Sequence, residues 1–176
     1  MDLESLRYPV GPFDGAGPFT LDSRRLAIDQ IGLLPSQVRQ AVRGLSEAQL
    51  DTPYRPEGWT VRQVVHHLAD SHMNGFIRVQ LALTEDRPVI KPYDENAWAG
   101  LPDVRLPVEH SLTILDGLHV RWAHAYRSMN DAQFARSFIH PEHGRTLTLE
   151  WHVHNYAWHS AHHLAHITRL RARQGW

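Results

Sequence analysis

The histidines of this chain are the residues whose types and spacing could do chemistry. There are 14, and nine of them are gathered as His66, His67 and His72, then His152, His154, His159, His162, His163 and His166. Histidine titrates near neutrality and is the commonest metal ligand. Cysteine is absent, which excludes a disulfide, a thiolate metal site and a cysteine nucleophile. His159 and His163 are four residues apart, a spacing that sets both rings one turn apart on one side of a helix, where a single ion reaches both. The same spacing serves HExxH zinc enzymes. Here Ser160, Ala161 and His162 intervene, so the helix-borne glutamate base of those enzymes is missing. Two imidazoles rarely hold a metal tightly, and a third ligand must come from another helix. His66 and His67 are both available, and both lie off the centre of their helix's apolar stripe. Periodicity barely separates them.

On a wheel of about 100° per residue, His152, Tyr156, His159, His163, His166 and Leu170 share an arc of roughly 80°, with His162 at its edge. Tyr156 and Leu170 imply that this face points inward. A buried imidazole has both an N–H and a lone pair to satisfy. Several on one inward face therefore imply a polar network, a water-filled pocket or a metal. A di-iron carboxylate bundle needs inward glutamates and Glu-x-x-His pairs, and the sequence contains no Glu-x-x-His. A haem bundle has no supporting motif.

Four amphipathic helices are expected to carry these residues. The first runs from about Asp22 to Gly44, with Leu26, Ile31, Leu34, Val38 and Val42 at helical steps; Pro35 inside it should kink or divide it. Ser46 to Gln49 reads as a capping box on one short turn. Thr60 and Gln63 form a second box, opening a helix with Val61, Val64, Val65, Leu68, Phe76, Val79 and Leu83 on one stripe and ending at Arg87-Pro88. The third helix runs from about Val108 to Met129, its core face carrying Leu112, Leu115, Leu118 and Trp122. Gly117 within it costs about 1 kcal/mol against alanine, a cost that often reflects a close contact. The fourth runs from about Thr148 to Gln174. Residues 1–20, rich in proline and glycine, read as an irregular arm, and Asn130 to Arg145 as mostly loop. The stretch from Pro88 to Leu106 is a long loop between the second and third helices, and such loops usually serve or cover a site. Tyr93, Asp94 and Glu95 within it are candidates to line the pocket, with a solvated loop as the favoured reading. The expected architecture is all-α, a four-helix bundle, with residues 1–176 as one domain.

Composition agrees with a globular protein: 42% hydrophobic and 21% charged residues, with 18 Lys and Arg against 19 Asp and Glu. A formal charge of −1 gives no footprint for nucleic acid or an anionic membrane. Neither a signal peptide nor an apolar run of membrane-spanning length is present, so a cytoplasmic location is expected.

One long motif is specific. Gly58-Trp59-Thr60-Val61-Arg62-Gln63-Val64-Val65-His66-His67-Leu68-Ala69-Asp70-Ser71-His72-Met73-Asn74 resembles the DinB-like superfamily and, more closely, its YfiT branch, described as metal-dependent hydrolases. The resemblance extends to Arg7 through Gly11, Lys91 through Glu95, and Trp158 through Thr168, so it covers nearly the whole chain. It implies that the metal ligands are His67, His159 and His163, and so selects His67 over His66. It also implies a homodimer and one divalent ion per subunit, zinc first and nickel second.

Three neutral imidazoles leave an ion its full charge and open coordination positions, the arrangement of catalytic rather than structural sites. One expectation is hydrolysis of a small-molecule substrate, with Asp70 or His166 as general base. The alternative is transfer of a low-molecular-weight thiol such as bacillithiol to an electrophile, an activity associated with the wider superfamily, which needs no carboxylate base. A metal-binding dimer without turnover is the third.

Overall fold

Helices form where apolar residues recur at helical spacing behind a side chain that caps the first turn. In a computed structural model, which describes residues 2–142 and 144–176, the elements are α1 (Leu3–Arg7), α2 (Leu21–Val42), α3 (Glu47–Leu50), α4 (Val61–Thr84), α5 (Glu95–Trp98), a 3₁₀ turn (Pro102–Arg105), α6 (Glu109–Arg127), α7 (Asp131–Phe134), strands β1 (Ser137–His140) and β2 (Arg145–Thr148), and α8 (Leu149–Gln174). Met1 and His143, in the expected arm and the expected loop, lie outside the described residues. Reciprocal capping boxes open α2 (Thr20 with Ser23), α3 (Ser46 with Gln49) and α4 (Thr60 with Gln63). Gly175, at φ 72°, closes α8 in the left-handed conformation that glycine adopts without strain.

The long helices α2, α4, α6 and α8 form a bundle. Both α2 and α4 pack chiefly against α6 and α8. Helices consecutive in the chain, α2 and α4, therefore sit on a diagonal. Two apolar clusters fill the interior. Ile28, Ile31, Phe76, Trp122, Tyr126, Phe138 and Val153 belong to one. Leu34, Val38, Val61, Leu68, Leu112, Leu115 and Leu170 belong to the other. The clusters part at one level of the bundle, between Ala69 and Phe76 on α4, Leu115 and Trp122 on α6, and Ala157 and Ile167 on α8. Histidines occupy that level.

Three expectations need correction. Pro35 does not divide the first helix: α2 is continuous across it, with Pro35 buried. The arm contains the helix α1, which Asp2 caps by accepting from the Ser5 N–H. The stretch from Asn130 to Arg145 contains α7 and most of an antiparallel hairpin, with Phe138 paired to Leu147 and both buried. The long loop attaches to that hairpin, Ile90 N–H donating to the Ile139 carbonyl at 3.1 Å.

Gly117 makes no close contact, since a β-carbon there would meet nothing within 4 Å. Gly75 is the glycine that packing requires. A β-carbon there would lie 2.7 Å from the Trp122 ring and closer still to the Tyr156 ring. Gly117→Ala should accordingly stabilise the protein by up to about 1 kcal/mol. Gly75→Ala should destabilise it by about 1–3 kcal/mol, overpacking outweighing the gain in helix propensity. Urea unfolding midpoints of the two variants should move in opposite directions.

Candidate metal centre

His67 on α4 and His159 and His163 on α8 converge. One ring nitrogen from each lies within 4.8 Å of the other two. The Nε2 atoms of His67 and His159 are 3.3 Å apart. That separation matches the edge of a tetrahedron around an ion with metal–nitrogen bonds of about 2.0–2.1 Å, roughly 3.4 Å. His66 is engaged elsewhere, Nδ1 with Ser111 Oγ at 2.7 Å and Nε2 with the Leu106 carbonyl at 3.1 Å. The structure thus separates the two adjacent histidines that periodicity leaves undecided.

Burial pushes the His67 imidazolium pKa down to about 4, helped by the charge of His162, and holds His159 and His163 well below the usual range. At neutral pH all three rings are uncharged, so each keeps one nitrogen lone pair, and the tautomer decides whether that lone pair faces the site. Soft thiolates are absent and no carboxylate joins the triad, so the donor set suits borderline ions such as zinc or nickel.

A cavity of about 570 Å³ opens over the triad. Its walls come largely from segments that read as irregular in the sequence: Arg7 and Tyr8 of the arm, Tyr93 and Glu95 of the long loop, Phe138 and Leu147 of the hairpin. Tyr93 is therefore a half-buried wall residue, its ring tilted against Trp98 with ring centres 4.4 Å apart. Burial raises its phenol pKa above the usual range, so it keeps its proton at neutral pH. Trp59 leans on His67 at 4.6 Å.

The two expected base residues part company. His166 lines the cavity, with Nε2 3.2 Å from the Arg7 carbonyl and its ring stacked on Tyr54 at 3.8 Å. A carbonyl only accepts, so His166 donates from Nε2 and carries its lone pair on Nδ1, which is buried without a hydrogen-bond partner among the described residues. A nitrogen of His166 lies within 4.8 Å of nitrogens of His162 and His163. Burial pushes its pKa down to about 3, which makes it a weak base. Asp70 is not among the residues that line the cavity. Partial burial and the charge of Asp103 push its pKa up to about 6.

Sequence reasoning missed His119. It is buried on α6 and sits 2.9 Å from His72 Nδ1, while His72 Nε2 sits 3.0 Å from His159 Nδ1. The signal was present: Leu112, Leu115, His119 and Trp122 form one helical stripe, and all four are buried.

A helical bundle with histidines from two helices converging beneath a cavity defines a class of metal-binding four-helix proteins. The chain belongs to the DinB superfamily, whose family model matches residues 30–167. It is 50% identical over 174 residues, 99% of this chain and 100% of the relative, to a protein of Bacillus mycoides (strain KBAB4) named "Putative metal-dependent hydrolase". A Bacillus cereus (strain B4264) protein bearing the same description matches equally, at 50% identity over the same shares. Among solved structures, YfiT from Bacillus subtilis is 47% identical with a TM-score of 0.94, over 98% of this chain and 99% of that one. It is described as "a probable metal-dependent hydrolase with an unusual four-helix bundle topology". No described helix is long and apolar enough to cross a membrane.

Proposed function

We propose that the protein is a metal-dependent hydrolase of a small-molecule substrate, with one divalent ion, zinc or nickel, on His67, His159 and His163. The observation that carries this reading is the approach of three imidazole nitrogens from two helices to within 4.8 Å beneath a cavity of about 570 Å³. Bound there, the ion supplies Lewis acidity that polarises a substrate oxygen and activates water. The chain's own groups do the rest. Tyr93 keeps its proton and can donate to a developing oxyanion. The Nδ1 lone pair of His166 can accept a proton, its ring fixed by the Arg7 carbonyl and by Tyr54. Asp70 takes no part in this scheme. The proposal includes a cytoplasmic homodimer, one ion per subunit.

One observation favours a second reading. His166, the one of the two expected bases that lines the cavity, is a weak base. Transfer of a low-molecular-weight thiol, activated as thiolate at the ion, needs no such base.

Zinc-loaded protein assayed against ester and amide panels, with and without bacillithiol and a chlorodinitrobenzene, separates the readings. Hydrolysis predicts turnover independent of thiol. His166→Gln should then lower kcat by about 10²-fold, the low end for a general base, while Asp70→Asn leaves it unchanged. Turnover only when thiol and electrophile are both present supports transfer and overturns hydrolysis. Silence in both assays leaves a metal-binding protein without catalysis.

A further inference from the structure

We propose that His72 and His119 are positioning residues, a histidine chain anchored by Pro35 that fixes His159 in the tautomer whose Nε2 lone pair faces the metal site. The inference rests on the metal reading above and concerns how the ligand is prepared.

The chain starts on α2. Proline has no N–H, so Pro35 cannot donate to the carbonyl four residues back, which is that of Ile31. That carbonyl points into the bundle and lies 2.6 Å from His119 Nδ1 on α6. His119 Nε2 is 2.9 Å from His72 Nδ1 on α4. His72 Nε2 is 3.0 Å from His159 Nδ1 on α8. All four long helices contribute, and His72 and His119 are 0% and 1% exposed.

The direction of every bond follows from its first member. A carbonyl oxygen can only accept, so His119 Nδ1 carries the hydrogen. A neutral imidazole has one N–H, so His119 Nε2 is a lone pair and His72 Nδ1 must donate to it. His72 Nε2 is then the lone pair, and His159 Nδ1 must donate in turn. His159 Nε2 is left unprotonated, and it is the atom 3.3 Å from His67 Nε2. Free histidine in water favours the opposite tautomer, protonated on Nε2, which would present a hydrogen where a cation must bind. The chain is no proton wire, because the terminal carbonyl has no proton to give or take at neutral pH. Metal-bound histidines commonly have their second nitrogen fixed by a carboxylate or carbonyl. Here two further imidazoles carry that instruction across the core from a backbone carbonyl freed by proline.

The test uses the full chain. Two-bond proton–nitrogen correlation spectra of metal-free protein should show His159 protonated on Nδ1 and unprotonated on Nε2. His119→Phe removes the anchor and should mix the His159 tautomers, lowering zinc affinity by about 10–100-fold in chelator competition. His119→Gln, whose amide oxygen can still accept from His72, should retain most of the affinity. Pro35→Ala restores an N–H that competes for the Ile31 oxygen and should shift affinity the same way as His119→Phe, by less. Wild-type His159 protonated on Nε2 overturns the proposal, and that spectrum decides the matter even if His119→Phe does not fold. A folded His119→Phe with unchanged tautomers and zinc affinity overturns it too. His159→Ala provides the control: if it loses zinc while His119→Phe changes nothing, only the chain fails; if it keeps zinc, the metal reading itself fails.

Discussion

His159→Ala is expected to lower the affinity for zinc by on the order of 10³-fold, with the bundle still folded. Structural zinc sites with four ligands are worth about 10–16 kcal/mol at neutral pH, so one ligand of a small set carries several kcal/mol. The three rings are in mutual contact, with centres 5.4 Å apart for His67 and His159, 4.5 Å for His159 and His163, and 4.7 Å for His67 and His163. Alanine there also strands His72 Nε2, which loses its 3.0 Å partner. The cost of that orphaned acceptor is about 1–3 kcal/mol. Most of a typical fold stability of about 5–15 kcal/mol then remains. Circular dichroism should show retained helix and a modestly lower unfolding midpoint, and elemental measurement of dialysed protein should show zinc lost. Full occupancy in the variant contradicts the ligand assignment.

Metal-free protein is expected to lose stability steeply as pH falls from about 6.5 towards 4. Burial depresses the pKa of His67, His119 and His162 to about 4 and of His152 and His166 to about 3, against 6.5 for the unperturbed group. Between those limits the unfolded chain binds protons that the folded chain refuses, so stability rises with pH and is lost on acidification. Each such histidine contributes up to about 1.4 kcal/mol per pH unit. Asp70 works the other way. Its pKa is raised from 3.8 to about 6, so the folded state holds an extra proton in that window and gains stability as pH falls. One carboxyl opposes five histidines, and the net effect is loss. Urea midpoints at pH 7.5, 6 and 5 in the presence of a chelator should fall progressively. Zinc should blunt the fall, because bound imidazoles cannot be protonated without losing the ion. A midpoint independent of pH contradicts the neutral, buried histidine cluster.

Much of the frame was legible in the sequence, and for identifiable reasons. The Thr60–Gln63 capping box and the Val61–Val79 stripe delimit α4 because each feature is local, set by residues within a turn or two. The inward histidine arc on α8 was legible because Tyr156 and Leu170 mark the buried side of the same face. What was not legible depends on partners far along the chain. His66 and His67 sit beside each other on α4; Ser111 and Leu106, forty or more residues away, occupy His66, while His67 meets His159. The hairpin escaped notice because its strands are four residues each, too short for alternation to stand out. Asp70 looked eligible as a base from its spacing to His67, but it is not among the residues that line the cavity, and it feels the charge of Asp103, thirty-three residues along the chain. Pro35 reads as a helix breaker on propensity alone. Burial of Pro35 together with Leu34 and Val38 on the inner face holds α2 continuous, and the missing N–H releases the Ile31 carbonyl for His119.

X-ray absorption at the zinc edge of loaded protein tests the central claim most directly. One ion per chain, with three imidazole nitrogens at about 2.0–2.1 Å and at least one oxygen donor from solvent, is the expected result. A first shell of oxygens without imidazole scattering, or the same spectrum from His159→Ala, would show that the three rings do not share an ion.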